Sequence, residues 1–272
     1  MNGPGASDLM SHARTVLLDA LDALEKHRAA LILVGAQAIY LHADAARVAL
    51  PELTKDSDLA IDRRELSDEP LLEQAMAAAG FEATRDPGRW RGAFGVPIDL
   101  MIPESMADAG GRRGGRMPPH SSRAVRRATG LEAAIIDNAV MTIAAIDPAD
   151  RRRIEVKVAG PAALLIAKMH KLGDRAATDP ERMNDKDAHD VYRLLVAVET
   201  RVLVDALGRL RVDDLAAAAT EQGLRFLEQL FAAGPEAIGC AMAGRAEELL
   251  GDPETVAAAT AALAADLTNA LA

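Results

Sequence analysis

The chain has few aromatic residues and only one cysteine. Aromatic residues make up 3% of its 272 residues. Proteins that bind single-stranded nucleic acid without sequence preference stack the bases on rows of aromatic side chains, so this sequence argues against such a platform. Cys240 alone excludes an internal disulfide framework and a cysteine-based zinc cluster, and it is compatible with a reducing cytosol.

Long apolar runs are also missing. No run reaches the roughly 18 residues that a bilayer crossing requires. The first seven residues, MNGPGAS, lack the charged and apolar layout of a signal peptide. We therefore expect a cytoplasmic protein without a membrane partner. The glycine-rich and serine motifs of P-loop NTPases, Rossmann dehydrogenases and serine hydrolases do not occur either, which leaves those classes unsupported.

The overall composition is that of a folded protein with an uneven charge distribution. Half of the residues are hydrophobic and the net charge is −10, which argues against a surface that binds nucleic acid everywhere. Segment 109–130 nevertheless contains six arginines, no acidic residue and several glycines and prolines. This composition predicts a mobile basic loop, either a solvated insertion or an RNA contact through Arg112, Arg113 and Arg116.

Hydrophobic periodicity predicts helices and strands together in the first 159 residues. Apolar residues at helical spacing predict helices over 8–27, 36–46 and 69–79. Short apolar or alternating runs predict strands over 31–34, 59–61, 94–102, 140–146 and 153–158. A turn-rich segment joins the last two strands, so we expect them to form a hairpin.

From Gly160 onward the pattern is entirely helical. Pro161 stands in a first helical turn, where its missing N–H group costs little. The following Ala- and Leu-rich segments predict helices over 161–174, 184–198, 200–207, 212–232, 235–250 and 253–271. We predict the fold class α/β (α+β). It comprises a domain over 1–159, with a small mixed sheet and flanking helices, and an all-helical domain over 160–272.

Two closely spaced carboxylates mark the most informative segment. A predicted strand ends at Gly35, a helix follows, and Asp56 and Asp58 lead into the next strand. Residues i and i+2 of an extended segment project to the same face. Two carboxylates held so closely repel each other unless a cation lies between them or one is protonated. Magnesium binds through one or two carboxylates and substrate phosphates, so the pair predicts a metal site rather than a turn before an exposed strand.

A third carboxylate, Asp99, lies in the predicted strand 94–102. If this strand neighbours the one that follows Asp58, three carboxylates meet at one edge of the sheet. Such a set can hold two metal ions for phosphoryl or nucleotidyl transfer. The alternative is that Asp99 forms an ion pair with an arginine such as Arg89 or Arg91.

These residues resemble the polymerase-beta-type nucleotidyltransferase superfamily. More narrowly, VGAQA at 34–38 and TKDSDL at 54–59 are similar to the AbiEii-type nucleotidyltransferase toxins. KMHKLGDR at 168–175 and KDAHDVY at 186–192 match later motifs of that family in order and type. One departure is Ala36, since the superfamily usually has Gly-Gly or Gly-Ser after the first strand. A backbone phosphate cradle survives this change, but a serine hydroxyl contact does not.

The resemblance implies a nucleotidyltransferase-like fold and an EC 2.7.7-type activity. Such an enzyme transfers a nucleoside monophosphate from an NTP to an acceptor hydroxyl, here of RNA or tRNA, as the toxin of a toxin–antitoxin system with a cognate antitoxin. It implies Mg²⁺ or Mn²⁺ bound by Asp56, Asp58 and Asp99, which with Lys168 form the catalytic set. The implied nucleotide-binding residues are Gly35, Ala36, Thr54, Lys168, Lys171, Asp187 and Asp190.

Charged residues on two predicted helices of the second domain leave two interpretations open. Lys168, Lys171 and Arg175 recur at i, i+3 and i+7 and form one basic stripe. Asp187 and Asp190 share a helix face with apolar residues, so they face inward and need partners. They either form a structural ion pair with Lys168 or Arg175, or help to bind nucleotide and metal.

Two other functions fit the same sequence. Ala36 is compatible with a non-catalytic nucleotide- or RNA-binding protein on this fold. The acidic charge outside segment 109–130 is compatible with an adenylyltransferase for a small cationic molecule, such as an antibiotic. Pyrophosphate release and the nature of the acceptor distinguish these alternatives.

Overall fold

The computed structural model describes residues 6–43, 56–108, 113–248 and 251–272. The chain is a mixed α/β protein with one eight-stranded sheet and a helical C-terminal region, which confirms the predicted fold class. It divides into two compact units. The sheet unit comprises Met1–Gln37, Leu53–Ala128 and Asn138–Ala159, and the helical unit comprises Ala38–Glu52, Thr129–Asp137 and Gly160–Ala272.

The division of the chain is more interleaved than the sequence indicates. The change at Gly160 is one of the transitions, as in the predicted division into 1–159 and 160–272. Residues 129–137, however, belong to the helical unit, because the helix Glu132–Ile136 packs against the helix Pro161–Thr178. Such a contact joins residues far apart in sequence, and no local composition marks it.

In its described residues the sheet unit contains eight strands, two complete α-helices and the start of a third. The strands are β1 (Leu31–Val34), β2 (Ser57–Ile61), β3 (Glu82–Ala83), β4 (Arg89–Arg91), β5 (Pro97–Pro103), β6 (Arg126–Ala128), β7 (Asn138–Ala144) and β8 (Arg153–Ala159). The helices are α1 (Ala6–Ala23), α2 (Gly35–Ala43), which continues into the helical unit, and α3 (Leu72–Ala78). A 3₁₀ helix, Glu25–Ala30, leads into β1.

The sheet places β1 and β2 at its centre. Its strand order is β3-β4-β5-β2-β1-β8-β7, and β6 pairs with β5 in addition. β1 runs antiparallel to β2 and parallel to β8, whereas β2 runs parallel to β5. All four residues of β1 are buried, as expected for an apolar, β-branched central strand. β7 and β8 pair antiparallel over seven residue pairs, which confirms the predicted hairpin.

Segment 113–130 differs from the mobile loop that its composition predicts. Arg126–Ala128 forms β6. Asp108 pairs with Arg116, and Gly114 pairs with Arg126, in isolated β-bridges. Val125 is fully buried. A Cβ atom on Gly115 would lie 2.5 Å from Ile102 and 2.7 Å from Val125, so this glycine permits close packing rather than mobility. Glycine is typical of loops, but it also allows the backbone to approach other groups closely. Gly115 has the second role here, because it packs against the buried Val125.

The helical unit contains the remaining helices. They are α4 (Glu132–Ile136), α5 (Pro161–Thr178), α6 (Asp185–Ala197), α7 (Thr200–Arg211), α8 (Ala217–Leu227), a π-helical turn (Glu228–Ala232), α9 (Ile238–Arg245) and α10 (Pro253–Leu271). The predicted helix over 212–232 begins later, because the Asp213 carboxylate accepts hydrogen bonds from the N–H groups of Leu215 and Ala216 in a turn. Among the described residues, the helices lack the length and apolarity that a membrane crossing requires.

Two element boundaries differ from the sequence prediction for local reasons. The predicted strand 94–102 starts only at Pro97, because Phe94 and Gly95 adopt positive φ angles of 57° and 70°. The helix predicted over 69–79 begins at Leu72, after Pro70. In both cases a short turn replaces the first residues of a regular pattern.

Candidate functional site

Asp58 and Asp99 occupy the same position on neighbouring strands of the sheet unit. They are register partners in the parallel pair β2–β5. Adjacent strands lie about 4.8 Å apart and register partners project to the same face, so both carboxylates leave the same face of the sheet. Asp56 immediately precedes β2, and its negative charge contributes to raising the pKa of Asp99. The structure therefore brings the three predicted carboxylates together near the N-terminal ends of β2 and β5.

Ser57, between the two aspartates, is anchored on the opposite face. Its buried hydroxyl donates a hydrogen bond to the Ala13 carbonyl of α1 at 3.2 Å and accepts one from the Gln37 side-chain amide. The Gln37 side-chain oxygen in turn accepts a hydrogen bond from Arg14 Nε at 3.0 Å. These contacts fix the strand's orientation, so that Asp58 projects away from α1.

Gly35 follows β1, begins α2 and contacts the Asp58 side chain. Its φ angle is +70°, a conformation that L side chains rarely adopt. A Cβ atom at this position would lie 2.1 Å from Asp58 Oδ2, so only glycine fits. The first N–H groups of a helix have no partner within it and attract anions. The junction of Gly35 and Ala36 therefore sets a carboxylate beside an anion-binding backbone.

Asp99 is buried and is only partly neutralised. Its Oδ2 atom lies 3.1 Å from Arg126 Nη2, which donates a hydrogen bond, and 3.9 Å from Arg89 Nη1. Burial raises the pKa of Asp99 above its usual range, although the two guanidinium groups oppose this shift. Arg89 is the partner that the sequence alternative names, whereas Arg126 lies in the segment predicted as a loop. The second oxygen, Oδ1, is buried without a hydrogen-bond partner among the described residues.

The carboxylates fit a divalent cation that also binds substrate phosphates. Within the described residues no group of three or more His, Cys, Asp or Glu side chains is arranged to hold a metal ion by itself. Magnesium, however, commonly uses one or two carboxylates and takes its other ligands from phosphates and water. Asp58 beside the α2 N-terminus and the unsatisfied Oδ1 atom of Asp99 meet this requirement.

The charged residues of α5 and α6 form a compact ion-pair cluster in the helical unit. Lys168 Nζ lies 2.7 Å from Asp187 Oδ1 and 2.7 Å from Asp190 Oδ2. Lys171 Nζ lies 2.8 Å from Asp187 Oδ1, and Arg175 Nη1 lies 3.1 Å from Asp187 Oδ2. Both oxygens of Asp187 are thereby paired with cations. The structural ion pairing that the sequence left open is present, and it involves Lys168 and Arg175 together.

The electrostatics of this cluster keep Lys168 charged. Burial alone would lower the pKa of Lys168, but the carboxylates of Asp187 and Asp190 outweigh it and hold the pKa above its ordinary value. Burial would raise the pKa of Asp187, but Lys168 and Lys171 outweigh it and hold the pKa well below its usual range. Lys168 is thus a permanent cation with two carboxylate partners, whereas the side chain of Lys171 is 44% exposed.

Two residues that the sequence did not single out extend the cluster. The Arg193 guanidinium lies 5.2 Å from the centre of the Tyr40 ring, within the range of a cation–π contact. Burial, with a contribution from the Asp190 charge, raises the pKa of Tyr40 to about 12. Tyr40 and Arg193 are far apart in sequence, and an isolated tyrosine or arginine gives no signal of such a contact.

Two of the three arginines predicted to contact RNA lie in the described part of the chain. Arg112 lies outside the described residues, as does Thr54 of the predicted nucleotide site. The side chain of Arg113 is 74% exposed and lies 4.0 Å from Asp86, and Arg116 is exposed. Arg123, in contrast, donates to the carbonyls of Thr84 and Arg85 at 3.0 and 2.8 Å. The basic segment therefore uses part of its charge internally.

We compared the chain with known proteins. No protein-family model, no curated protein and no solved structure matches it.

Proposed function

We propose that this protein is a metal-dependent nucleotidyltransferase that transfers a nucleoside monophosphate from an NTP to an acceptor hydroxyl. One observation carries the proposal: Asp58 and Asp99 are register partners while Gly35 contacts the Asp58 carboxylate at the start of α2. Carboxylates beside an anion-binding helix N-terminus suit a ligand that has both a cation and phosphates. A metal–triphosphate complex is such a ligand.

In this mechanism Asp56 and Asp58 hold Mg²⁺ or Mn²⁺, and Asp99 completes the set. The metal ion supplies charge neutralisation at the triphosphate and acidifies the acceptor hydroxyl. The backbone at Gly35 and Ala36 holds a phosphate group. Asp99 accepts the hydroxyl proton as the acceptor oxygen bonds to the α-phosphorus; the bond to the bridging oxygen breaks and pyrophosphate leaves. Positioning and electrostatics carry such a reaction, so no covalent protein nucleophile is needed.

The geometry of the ion-pair cluster changes the role that we propose for Lys168. Its Nζ atom donates to two buried carboxylates, so it acts as a positioning residue. Lys171 and Arg175 share Asp187 with it and are more exposed, with 44% and 26% of their side chains accessible. The resemblance implies nucleotide binding by Lys171, and the accessible charge of these two outer cations is compatible with that role.

The resemblance to AbiEii-type toxins supports RNA, such as tRNA, as the acceptor and a cognate antitoxin as a partner. Segments 34–38 and 54–59 carry this part of the proposal. Arg113 and Arg116 are exposed and contribute positive charge for a phosphodiester backbone.

Transfer to RNA can be measured directly with each α-labelled NTP, total RNA and Mg²⁺. We expect label in RNA and release of pyrophosphate, both lost with EDTA. Asp58→Ala should reduce labelling by at least about a hundredfold, because it removes a carboxylate that would hold the metal ion, and the metal ion neutralises negative charge in the transition state. Asp68→Ala, at an exposed aspartate of the same unit, is the matched control and should label like the wild type. No RNA labelling by the wild type with any NTP, or full labelling by Asp58→Ala, contradicts the proposal.

A non-catalytic nucleotide-binding protein is the second candidate, and one observation favours it. Asp99 Oδ2 already pairs with Arg126, which reduces the negative charge available to a metal ion. Nucleotide binding without pyrophosphate release would identify this function. The guanidinium groups of Arg89 and Arg126 beside Asp99 disfavour the third alternative, an adenylyltransferase for cationic small molecules, because they repel such an acceptor.

A further inference from the structure

Arg126 lies beside the proposed site but has no role in the mechanism above. It is the first residue of β6 and the register partner of Met101, two residues beyond Asp99 on β5. Residues i and i+2 of a strand share a face, so Arg126 projects to the face that carries Asp99. Its Nη2 atom donates to Asp99 Oδ2 at 3.1 Å.

This ion pair is incomplete on both sides. Asp99 Oδ1 is buried, as is Arg126 Nε, and neither has a hydrogen-bond partner among the described residues. The Asp99 side chain is 8% exposed, so bulk water does not satisfy it. An unpaired buried acceptor and an unpaired buried donor therefore belong to one ion pair. Buried polar groups are costly when unsatisfied, so such a pair needs an explanation.

Other described arginine–carboxylate pairs of the sheet unit differ at the carboxylate. Arg28 and Arg127 also keep a buried Nε atom without a hydrogen-bond partner, but the carboxylates with which they pair are each 50% exposed. Two further pairs are complete. Arg63 donates to both oxygens of Asp108. Arg64 donates to Asp62 Oδ1 through Nε at 2.9 Å and to Oδ2 through Nη2 at 2.8 Å. Structural pairs are frequently bidentate in this way. The buried Oδ1 atom of Asp99 without a hydrogen-bond partner distinguishes its pair with Arg126 and indicates that a further ligand completes it.

The unsatisfied atoms define the chemistry of that ligand. Arg126 Nε needs an acceptor, and the planar guanidinium group matches the oxygens of a phosphate. Asp99 Oδ1 needs a cation or a hydroxyl donor. Arg89 lies 3.9 Å from Asp99 Oδ2, so the carboxylate keeps a cationic neighbour when Arg126 turns to another anion. A phosphate next to a hydroxyl or a metal ion satisfies every group.

We propose that Arg126 is a phosphate-binding residue that exchanges Asp99 for a phosphate oxygen when substrate binds. This inference rests on the proposed function and deepens it, since it names a residue that positions substrate beside Asp99. The phosphate belongs either to the nucleoside triphosphate or to the phosphodiester backbone of the acceptor. Both sources share the same chemistry, and separate probes distinguish them.

Isothermal titration calorimetry on the full chain tests the proposal with two probes. These are inorganic tripolyphosphate with Mg²⁺, and a 12-nucleotide single-stranded RNA without NTP. Arg126→Ala should weaken binding of one probe by about ten- to a hundredfold, as expected for loss of a charge-assisted contact. Arg126→Lys should give a smaller loss, because lysine keeps the charge without the planar fork. The weakened probe identifies the source of the phosphate.

Arg151→Ala is the matched control for loss of one positive charge. Arg151 is exposed in the turn between β7 and β8, and its variant should bind both probes within about twofold of the wild type. Wild-type affinity of Arg126→Ala for both probes, or no binding of either probe by the wild type, overturns the proposal. Should Arg126→Ala fail to fold, Arg126→Lys decides: at least threefold weaker binding supports the proposal, and unchanged binding overturns it.

The assay separates this inference from the proposed function. Binding through Arg126 without any RNA labelling contradicts the transferase activity and leaves the phosphate contact intact. RNA labelling by Arg126→Ala with wild-type KM values for NTP and RNA contradicts the phosphate contact and leaves the activity intact.

Discussion

The two buried carboxylates Asp99 and Asp187 lie in similar surroundings but are neutralised differently. Asp99 is 6% exposed and Asp187 is 4% exposed. Both oxygens of Asp187 pair with cations, from Lys168, Lys171 and Arg175. Asp99 pairs through one oxygen, and the other has no hydrogen-bond partner in the described part of the chain. Burial alone therefore does not distinguish a fully paired carboxylate from one with an unsatisfied oxygen.

The pKa shifts of the two groups follow the same distinction. Burial raises the pKa of both carboxylates, but the cations around Asp187 outweigh burial and those around Asp99 do not. The pKa of Asp187 is therefore lowered and that of Asp99 is raised. Removing one partner from a fully paired cluster leaves an uncompensated buried charge, whereas an incompletely paired carboxylate already carries part of that cost, as groups with perturbed pKa values at binding sites often do.

Removal of Lys168 should have the largest effect on stability. Lys168→Met leaves the buried carboxylates of Asp187 and Asp190 without their shared cation, which should cost about 3–5 kcal/mol of the free energy of unfolding. Lys171→Met is the control, because this half-exposed lysine should contribute about 1 kcal/mol or less. Urea denaturation monitored by circular dichroism measures both, and equal costs would contradict a structural role specific to Lys168.

Replacing each of the two buried aspartates with asparagine compares their contributions to stability and to activity. Asp187→Asn should cost about 3 kcal/mol at pH 7, because three cations lose their shared charge. Asp99→Asn should change stability by about 1 kcal/mol or less, because it also removes an unfavourable buried charge. RNA labelling should show the opposite ranking, with the larger loss in Asp99→Asn. A larger destabilisation by Asp99→Asn would overturn the distinction between the two clusters.

Acid should remove the contribution of Asp187 selectively. The pKa of this residue is lowered on folding, so its contribution is complete above the unfolded value of about 3.9 and is lost as the pH falls through the folded value. The thermal stabilities of the wild type and Asp187→Asn should therefore begin to converge as the pH falls below about 4. For Asp99, whose pKa is raised, the wild type should instead lose stability relative to Asp99→Asn as the pH rises above that value. Parallel pH profiles for the two pairs would contradict these assignments.

Alanine variants of two glycines with the same φ angle distinguish the effect of backbone strain from the effect of contact with the candidate site. Gly35 and Gly95 both have φ of +70°, but only at Gly35 would a Cβ atom meet Asp58. Each Ala variant should lose about 1–2 kcal/mol from the left-handed conformation. Only Gly35→Ala should also reduce RNA labelling, by at least about tenfold, because it displaces the Asp58 carboxylate. Equal labelling by the two variants would remove Gly35 from the site.

The exposed arginines Arg113 and Arg116 should have the smallest effect on folding. Replacing both with serine should change the free energy of unfolding by less than about 1 kcal/mol, because surface charges contribute little. RNA binding should lose about two units of the slope of log K against log salt concentration. Fluorescence anisotropy across a salt series measures this slope, and an unchanged slope would show that these arginines do not contact RNA.

Most regular elements were predictable because their signals are local. The boundaries of β1 agree with the prediction at both ends, since four apolar residues are bounded by Gly35. The hairpin of β7 and β8 and the start of α5 at Pro161 also follow from adjacent residues. β4 and β6 were not predicted, because three-residue strands exist only through pairing with β5 and have too few residues for a periodic signal.

The proximity of the candidate carboxylates was predictable, but their neutralisation by arginines was not. Spacing pointed to Asp56 and Asp58, and strand position pointed to Asp99. Nothing in the local sequence connects Asp99 with Arg126, because their pairing depends on the parallel register of β5 and β6. The contact of Gln37 with Ser57 was also missed, because it depends on the packing of α2 beside β2, although both residues lie in segments that the sequence singled out.

By itself the sequence determined the fold class, the central strands and the identity of the acidic and basic side chains, because periodicity and residue chemistry are properties of neighbouring residues. Only the tertiary structure decided which charges are neutralised. Hydrogen bonding acts over about 3 Å and depends on strand register and helix packing. Those features left Asp187 fully paired and Asp99 with an unsatisfied oxygen.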